Sequence, residues 1–399
     1  MNYASLFLLG SLTDCCLVYS VIIKMKKESE WERYNMATAL KEVYNNEFIN
    51  HFSALVQEKS ASFNATKFKQ EVLNEDWEDL KLKERMRRIS TVLGRCLKGS
   101  YSDQIDLLFQ LEQECQGFPY LFFPDFVEVY GQNESDWELS MEAIKRFTNG
   151  SSSEFAIRTF ILKNPIKVMS LMKEWAIDEN EHIRRLASEG CRPRLPWGQA
   201  LGLFKVNPGP VLDILELLKN DDSLYVRKSV ANNLNDIAKD NPQKIIELVK
   251  AWQGQSQQTD WILRKGCRTL IKQADPEIMR LFGYPEVENQ INMAEINSQL
   301  SELEMGEESE FSYQFTTKGD SDLHVRIEYG IYFIKANGKA TRKLFFLSEK
   351  NVSGGQTISG RRTHKWKDLT TRKHYAGEHR VVLLLNGVEF AETSLFLKG

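Results

Sequence analysis

None of the six cysteines, Cys15, Cys16, Cys96, Cys115, Cys191 and Cys267, stands in a CxxC pair, and no Cys/His spacing suits zinc. A structural metal site is therefore not expected, and a reduced protein without a disulfide framework is the simplest reading. The chain also lacks a glycine-rich phosphate loop, a dinucleotide fingerprint and a nucleophile–histidine–acid triad, so no cofactor is called for. No lysine is set up as a Schiff-base nucleophile. An excess of basic charge is missing too. Lys and Arg number 52 against 55 Asp and Glu, a net charge of -3. That gives no global mark of nucleic-acid binding, although net charge does not say where the charges sit. The one long apolar run is Tyr3 to Ile23, followed by Lys24, Lys26 and Lys27. It can be read as an uncleaved membrane anchor. Against this, Asp14 lies inside it and no Lys or Arg precedes it. The favoured reading is an upstream extension from a misassigned start, with Met36 opening a clean helical pattern, Met36-Ala37-Thr38-Ala39-Leu40. Membrane contact is expected only on the first reading.

A length of 399 residues with a hydrophobic share of 42% allows two or three domains with sizeable cores. Four segments are expected: an N-terminal extension (1–35), a helical domain (36–290), an acidic linker (291–310) and an all-β domain (311–399). In the helical part, apolar residues recur at three and four, with Asn, Gly and Pro between short helices. Phe118 to Tyr130 is dense in aromatics and reads as core. From Ile157 a weak repeat sets an aliphatic residue before an arginine: Ile157-Arg158, Ile183-Arg184, Val226-Arg227 and Leu263-Arg264. Partner helices are expected at Ile166–Trp175, Val211–Leu218 and Lys244–Trp252. Helix pairs at such intervals mark HEAT-type solenoids, which stack around one concave face. Arginines in such repeats commonly bond within or between repeats, and that reading applies to Arg227 and Arg264. After residue 311 the period becomes two, as in Leu323 to Tyr329, with strands also expected at Lys343–Leu347, Arg380–Leu385 and Thr393–Leu397. Asn337-Gly338 and Asn386-Gly387 have the residues of type I′ hairpin turns. An immunoglobulin-like β-sandwich is the expected architecture.

One loop stands out in the helical part: Gly190-Cys191-Arg192-Pro193-Arg194-Leu195-Pro196-Trp197. Gly190 can take the left-handed conformation that ends a helix. Pro193 and Pro196 stiffen the chain beyond it, which holds Arg194 and Trp197 in place. After the loop, a helix from about Ser223 to Lys239 has a buried stripe of Val226, Val230, Leu234 and Ile237. Lys228, Asn232 and Asp236 line another face beside Asn235, and that face is expected to meet solvent or a polar ligand. Glu154–Arg158 and Arg185–Glu189 stand at i,i+4, as surface ion pairs worth about 0.3–0.5 kcal/mol would. If successive helices line one groove, Glu154, Glu189 and Asp236 converge in it.

The loop, with the residues around it, resembles the AlkC branch of the AlkC/AlkD family of bacterial DNA glycosylases. The resemblance spans roughly residues 36 to 285. The tail fits those AlkC members that carry an immunoglobulin-like domain, and members begin near a sequence like that at Met36. The resemblance implies a monofunctional glycosylase that removes cationic alkylated bases, chiefly N3-methyladenine, from double-stranded DNA, with no small-molecule cofactor. It implies a protein acting as a monomer in the bacterial cytoplasm, on nucleoid DNA. Glu154, Arg185, Glu189, Trp197 and Asp236 match positions that line the lesion site, and Asp236 matches the acidic residue regarded as catalytic. It implies bending and lesion exposure without a deep flipping pocket. Such a base is already cationic and leaves as a neutral molecule, so the positive charge passes to the sugar, and the enzyme's task is to stabilise it there and orient water. Asp236 would do this, with Glu189 and Glu154 in support. Arg192, Arg194, Lys228 and Asn232 are candidate lesion or DNA contacts.

Residues 361–380 form a strongly basic window, with Arg361, Arg362, Lys365, Lys367, Arg372, Lys373 and Arg380 against Asp368 and Glu378. It is expected as a loop between strands that reaches DNA, with His364 among its contacts, so that the two domains embrace the duplex. HEAT-type proteins are mostly scaffolds, so the competing reading is a non-catalytic repeat protein that binds DNA structures or a protein partner.

Overall fold

A computed structural model describes residues 40–319, 322–368 and 373–399. The expectations for residues 1–35, for the opening at Met36 and for Arg372 lie outside these. No helix among the described residues is long and apolar enough to cross a membrane.

The helices are α1 (Asn46–Lys59), α2 (Ala65–Val72), α3 (Leu82–Cys96), α4 (Tyr101–Leu111), α5 (Phe122–Tyr130), α6 (Trp137–Gly150), α7 (Ile157–Lys163), α8 (Pro165–Trp175), α9 (Glu181–Gly190), α10 (Gly202–Val206), α11 (Gly209–Leu218), α12 (Leu224–Ile237), α13 (Pro242–Trp252), α14 (Gln257–Gly266), α15 (Arg268–Lys272) and α16 (Pro276–Leu281). Their starts follow from side-chain caps. Asn45, Asn64, Ser100, Asn164, Asn180 and Ser223 each accept a bond from a backbone N–H of the first turn, and Pro165 adds a pre-set φ. The aromatic run is core as expected, with Phe118, Phe122, Phe123 and Phe126 buried and Phe52 4.9 Å from Phe122 between ring centroids. The expected repeat is present. α8 packs on α7, α9 and α11, and α12 packs on α9 and α11. Two of the repeat arginines do the same job. Arg184 donates to the carbonyls of Asp178 and Glu179, and Arg227 to those of Asp221 and Asp222, each closing the loop before its own helix.

The chain forms two compact units. One takes residues 40–241 with Ser256–Ile262; the other takes Pro242–Gln255 and Leu263–Gly399. The second holds the strands β1 (Ile291–Ser298), β2 (Glu302–Leu303), β3 (Glu308–Thr317), β4 (Leu323–Ile334), β5 (Ala340–Val352), β6 (Thr357–Lys365), β7 (Gly377–Leu385) and β8 (Val388–Leu397). They make a three-stranded sheet, β1-β3-β6, and a five-stranded sheet, β2-β8-β7-β4-β5. Phe311, Phe315, Tyr329, Phe333, Trp366, Leu383 and Leu395 belong to the core they enclose.

Residues 291–310 are therefore not a linker. They form β1, β2 and the start of β3, with Ile291, Ile296 and Leu303 buried. Their acidic residues sit on β1 and β2, in the turn after β2 and at the start of β3, with Glu295, Glu302, Glu304, Glu307 and Glu308 exposed. Of the two expected type I′ turns, Asn386-Gly387 has both residues at positive φ. At Asn337-Gly338 only the glycine does, and the turn closes as a longer loop from Lys335 to Lys339. Arg264 leaves the repeat pattern and pairs with Glu349 of β5 and the Tyr284 hydroxyl, inside the second unit. In the same unit, the Asn386 amide donates to the Pro285 carbonyl at 2.9 Å, and a Cβ on Gly387 would meet the Ala274 Cβ.

Candidate functional site

The site starts at the end of α9. Gly190 does not break this helix by a left-handed turn: it lies within the last turn, and Cys191 caps it at φ -93° and ψ 5°. Glycine is needed there for room, since a Cβ would come 2.7 Å from Ile157 Cγ2. The left-handed residue of the loop is Trp197 itself, at φ 63°. A bulky side chain in that region costs on the order of 1–3 kcal/mol and persists only when its surroundings impose it. Here Leu195 is buried, the Gly198 N–H bonds the Leu195 carbonyl, and Lys83 Nζ donates to the Trp197 carbonyl at 3.0 Å. The indole stays 38% exposed.

Trp197 lines a cleft with Tyr44, Phe118, Phe155 and Tyr225, and with Lys83, Glu154 and Arg185. Lys83 lies 4.5 Å from the Phe155 ring centre, and burial holds its ammonium below the usual lysine range. The Arg185 guanidinium lies 4.9 Å from the Tyr225 ring centre.

Behind the cleft runs a chain of alternating charge. Glu154 accepts from Arg185 and, at 2.6 Å, from the Ser152 hydroxyl. Arg185 lies 3.7 Å from Glu189, and Arg192 Nη1 2.6 Å from the same oxygen. The other Glu189 oxygen accepts from Ser229 at 2.6 Å. Arg192 then meets Asp236 Oδ2 through Nε at 2.9 Å and Nη2 at 2.7 Å. Lys239 Nζ sits 3.0 Å from Asp236 Oδ1. Three carboxylates and three cations make the chain formally neutral. All its members except Lys239 are at most 4% exposed. Burial by itself would raise the Glu189 carboxyl, but Arg192, Arg185 and the Ser229 bond hold it below the ordinary range. Asn233, also buried, fixes the end of α9 by donating to the Ser188 carbonyl at 2.8 Å.

Glu154, Arg185, Glu189, Arg192 and Asp236 thus fall in one network, and Trp197 in the cleft beside it. Other expected placements are overturned. Glu154 does not pair with Arg158, which donates to the carbonyls of Gln199 and Gly190; burial lowers its guanidinium to about 10. Arg185 and Glu189 are a buried contact rather than a surface one. Asp236 and Asn235 are buried and do not form a solvated face with exposed Lys228 and half-buried Asn232. Arg194 pairs at the surface with Asp240, at 2.9 Å through Nε. In the β-domain, Arg361 and Arg362 lie on β6 rather than in a loop, because alternation turns His364 and Trp366 into the core. His364 is no surface contact: its Nδ1 sits 3.0 Å from the Tyr329 hydroxyl. Arg361 faces Glu310 at 3.3 Å and Lys365 faces Glu308 at 2.6 Å, so strand β3 offsets part of the basic window. Lys367 is exposed.

The sequence reading missed Lys83, Ser152, Tyr225, Ser229, Asn233 and Lys239. Lys239 stands at i,i+3 from Asp236 and Ser152 two residues before Glu154. The other four meet the site through contacts far apart in sequence.

Residues 127–270 match the family described as "DNA alkylation repair enzyme", and residues 292–399 match that described as "Uncharacterised protein YhaZ, C-terminal Ig-like domain". The chain is 43% identical over 348 residues to "Uncharacterized protein YhaZ" of Bacillus subtilis (strain 168), covering 87% of this chain and 96% of that protein. Among solved structures it is similar to the Pseudomonas fluorescens alkylpurine DNA glycosylase AlkC bound to DNA containing an abasic site analog. The identity is 35% and the TM-score 0.86, over 90% of this chain and 99% of the other.

Proposed function

The chain belongs to the AlkC-type DNA alkylation repair enzymes that carry a C-terminal Ig-like domain, and on that footing we propose that it is a DNA glycosylase acting on cationic alkylated bases. N3-methyladenine in double-stranded DNA is the substrate we favour. The observation that carries the reading is the junction of an aromatic cleft with three linked carboxylates: Trp197, Phe155 and Tyr225 stand beside Glu154, and Glu189 and Asp236 lie behind it. Aromatic faces attract a flat cation. Carboxylates held in place by fixed guanidiniums stabilise positive charge on a sugar without reorganising. Asp236 is assigned to that stabilisation and to orienting water. Glu189 and Glu154 support it, and Arg185 and Arg192 hold the carboxylates in register.

The reading includes monofunctional action. Lys83 is the amine in the cleft, and its contacts with the Trp197 carbonyl and the Phe155 face occupy it structurally. It also includes action as a monomer in the cytoplasm, where a bacterial DNA repair enzyme meets the nucleoid, and phosphate contacts from Arg362 and Lys367 of the β-domain.

The test is release of free N3-methyladenine from methylated duplex DNA by the purified full chain. Base release with no strand cleavage, and no borohydride-trapped protein–DNA adduct, is the expected result. DNA binding without base release would instead support the non-catalytic scaffold.

A further inference from the structure

Asp236 is 2% exposed, and both of its oxygens are taken. Oδ2 is held by Arg192, itself buried and tied to Glu189 on its other side. Oδ1 is held by Lys239 at 3.0 Å, and the Lys239 side chain is 38% exposed. The two partners differ in what it takes to remove them. Moving Arg192 would strip two buried carboxylates of a guanidinium at once. Moving Lys239 needs only rotation of a flexible stem, just past the end of α12, with its ammonium passing into solvent or onto another anion.

The Lys239 neighbourhood resembles it in kind. Asp240, the next residue, is paired with Arg194 of the tryptophan loop. Two cations on this rim are therefore each engaged by a carboxylate of the same helix end, and both can exchange an acid for a phosphate. Only Lys239 covers an oxygen of the buried chain.

We propose that Lys239 is a displaceable counter-ion: a phosphodiester seated on this rim draws its ammonium off Asp236 and uncovers Oδ1. Asp236 is thus screened when no nucleic acid is bound and open when a backbone is in place. The ligand class is the DNA phosphate backbone, and Lys239 is a positioning residue. The inference rests on the reading of Asp236 as the working carboxylate, but its two halves can be measured without excision.

The first measurement is the salt dependence of binding to undamaged duplex. Lys239→Met removes one phosphate contact, so the slope of log affinity against log salt becomes shallower by about 0.9. The second is carbodiimide-driven amide coupling at Asp236, read by peptide mass without DNA. Wild type is protected, and Lys239→Met is labelled. Lys239→Arg keeps a cation and should retain both the slope and the protection. This separates loss of charge from a folding defect. A third measurement uses methylated duplexes with a neutral methylphosphonate at one phosphate after another around the lesion. One position should slow wild-type excision several-fold and leave Lys239→Met indifferent. An unchanged salt slope, or equal labelling of wild type and Lys239→Met, overturns the proposal. If wild type releases no base, the glycosylase reading fails while the first two measurements still decide the ion exchange.

Discussion

Asp236→Asn keeps the shape of the side chain and deletes one of the three negative charges in a formally neutral buried chain. The two consequences need separate assays. Loss of one preorganised electrostatic group costs about 10²-fold or more in rate, close to 2.7 kcal/mol in the barrier. Loss of one partner from a buried ion network destabilises by about 3–5 kcal/mol. Here the low end applies, because the asparagine oxygen can still accept from Arg192 and Lys239 can turn to solvent. In a domain of this size, roughly 3 kcal/mol lowers the melting temperature by about 6–12 °C. The assay is single-turnover excision at saturating enzyme and 25 °C, beside a thermal melt, with undamaged-duplex affinity expected to hold or improve. Asp240→Asn is the control. It loses a surface pair with Arg194 worth about 0–1 kcal/mol, so its melting temperature stays near that of wild type. Excision by Asp236→Asn within a few-fold of wild type would falsify the catalytic role. An unchanged melting temperature would refute the account of the network as buried and coupled.

Trp197→Ala should lose excision with little change in melting, since the indole is part exposed. Trp197→Gly should be equally inactive yet melt higher than the alanine variant, because glycine adopts φ 63° without strain. In the β-domain, replacing Arg362 and Lys367 with alanine should flatten the salt slope of DNA binding by about 0.9 for each phosphate no longer neutralised. Replacing Arg361 and Lys365 should do less, because Glu310 and Glu308 already engage them; equal effects from the two pairs would remove the distinction. Burial lowers the His379 pKa below its ordinary 6.5. The folded state thus binds fewer protons there than the unfolded one. Its contribution is whole above pH 6.5 and is lost as pH falls through the depressed value. Glu189, also depressed, acts the same way only below its ordinary 4.5. Burial lowers His182 of α9 in the same way, so acid titration followed by Trp366 and Trp197 environments should show both units begin to loosen below pH 6.5, and a unit unchanged until below pH 4.5 would refute this.

What could be read in the sequence was local. Asn164-Pro165, Asn180 and Ser223 announce their helices because a cap is a property of three or four neighbouring residues. Val226, Val230, Leu234 and Ile237 announce a buried face because helical period is local too. The five residues carried by family resemblance do assemble, but their partners were hidden. Arg185 joins Glu154 across 31 residues, and Arg192 reaches Asp236 across 44. Spacing of four suggested Glu154 with Arg158, and that pair gave way to backbone carbonyls that only the fold supplies. Acidity at 291–310 and basicity at 361–380 misled for a shared reason. Composition reports charge on a segment's outer side and says nothing of Ile296 or Trp366 on the inner one.

The grouping of α13, α15 and α16 with the strands bears on the order in which the chain is made. Asn386 meets Pro285, 101 residues earlier, and Glu349 meets Arg264, 85 residues earlier. A ribosome adding about 5–20 residues per second needs roughly 5–20 s to cover the longer of those spans. During that interval the unit of residues 40–241 has nearly all of its own contacts and can close, while the last helices have emerged without the surface they finish against. The first unit is thus complete once Ile262 is made, well before the first strand, and a nascent chain stalled near residue 300 would carry a complete charge network together with helices still waiting for their sheet.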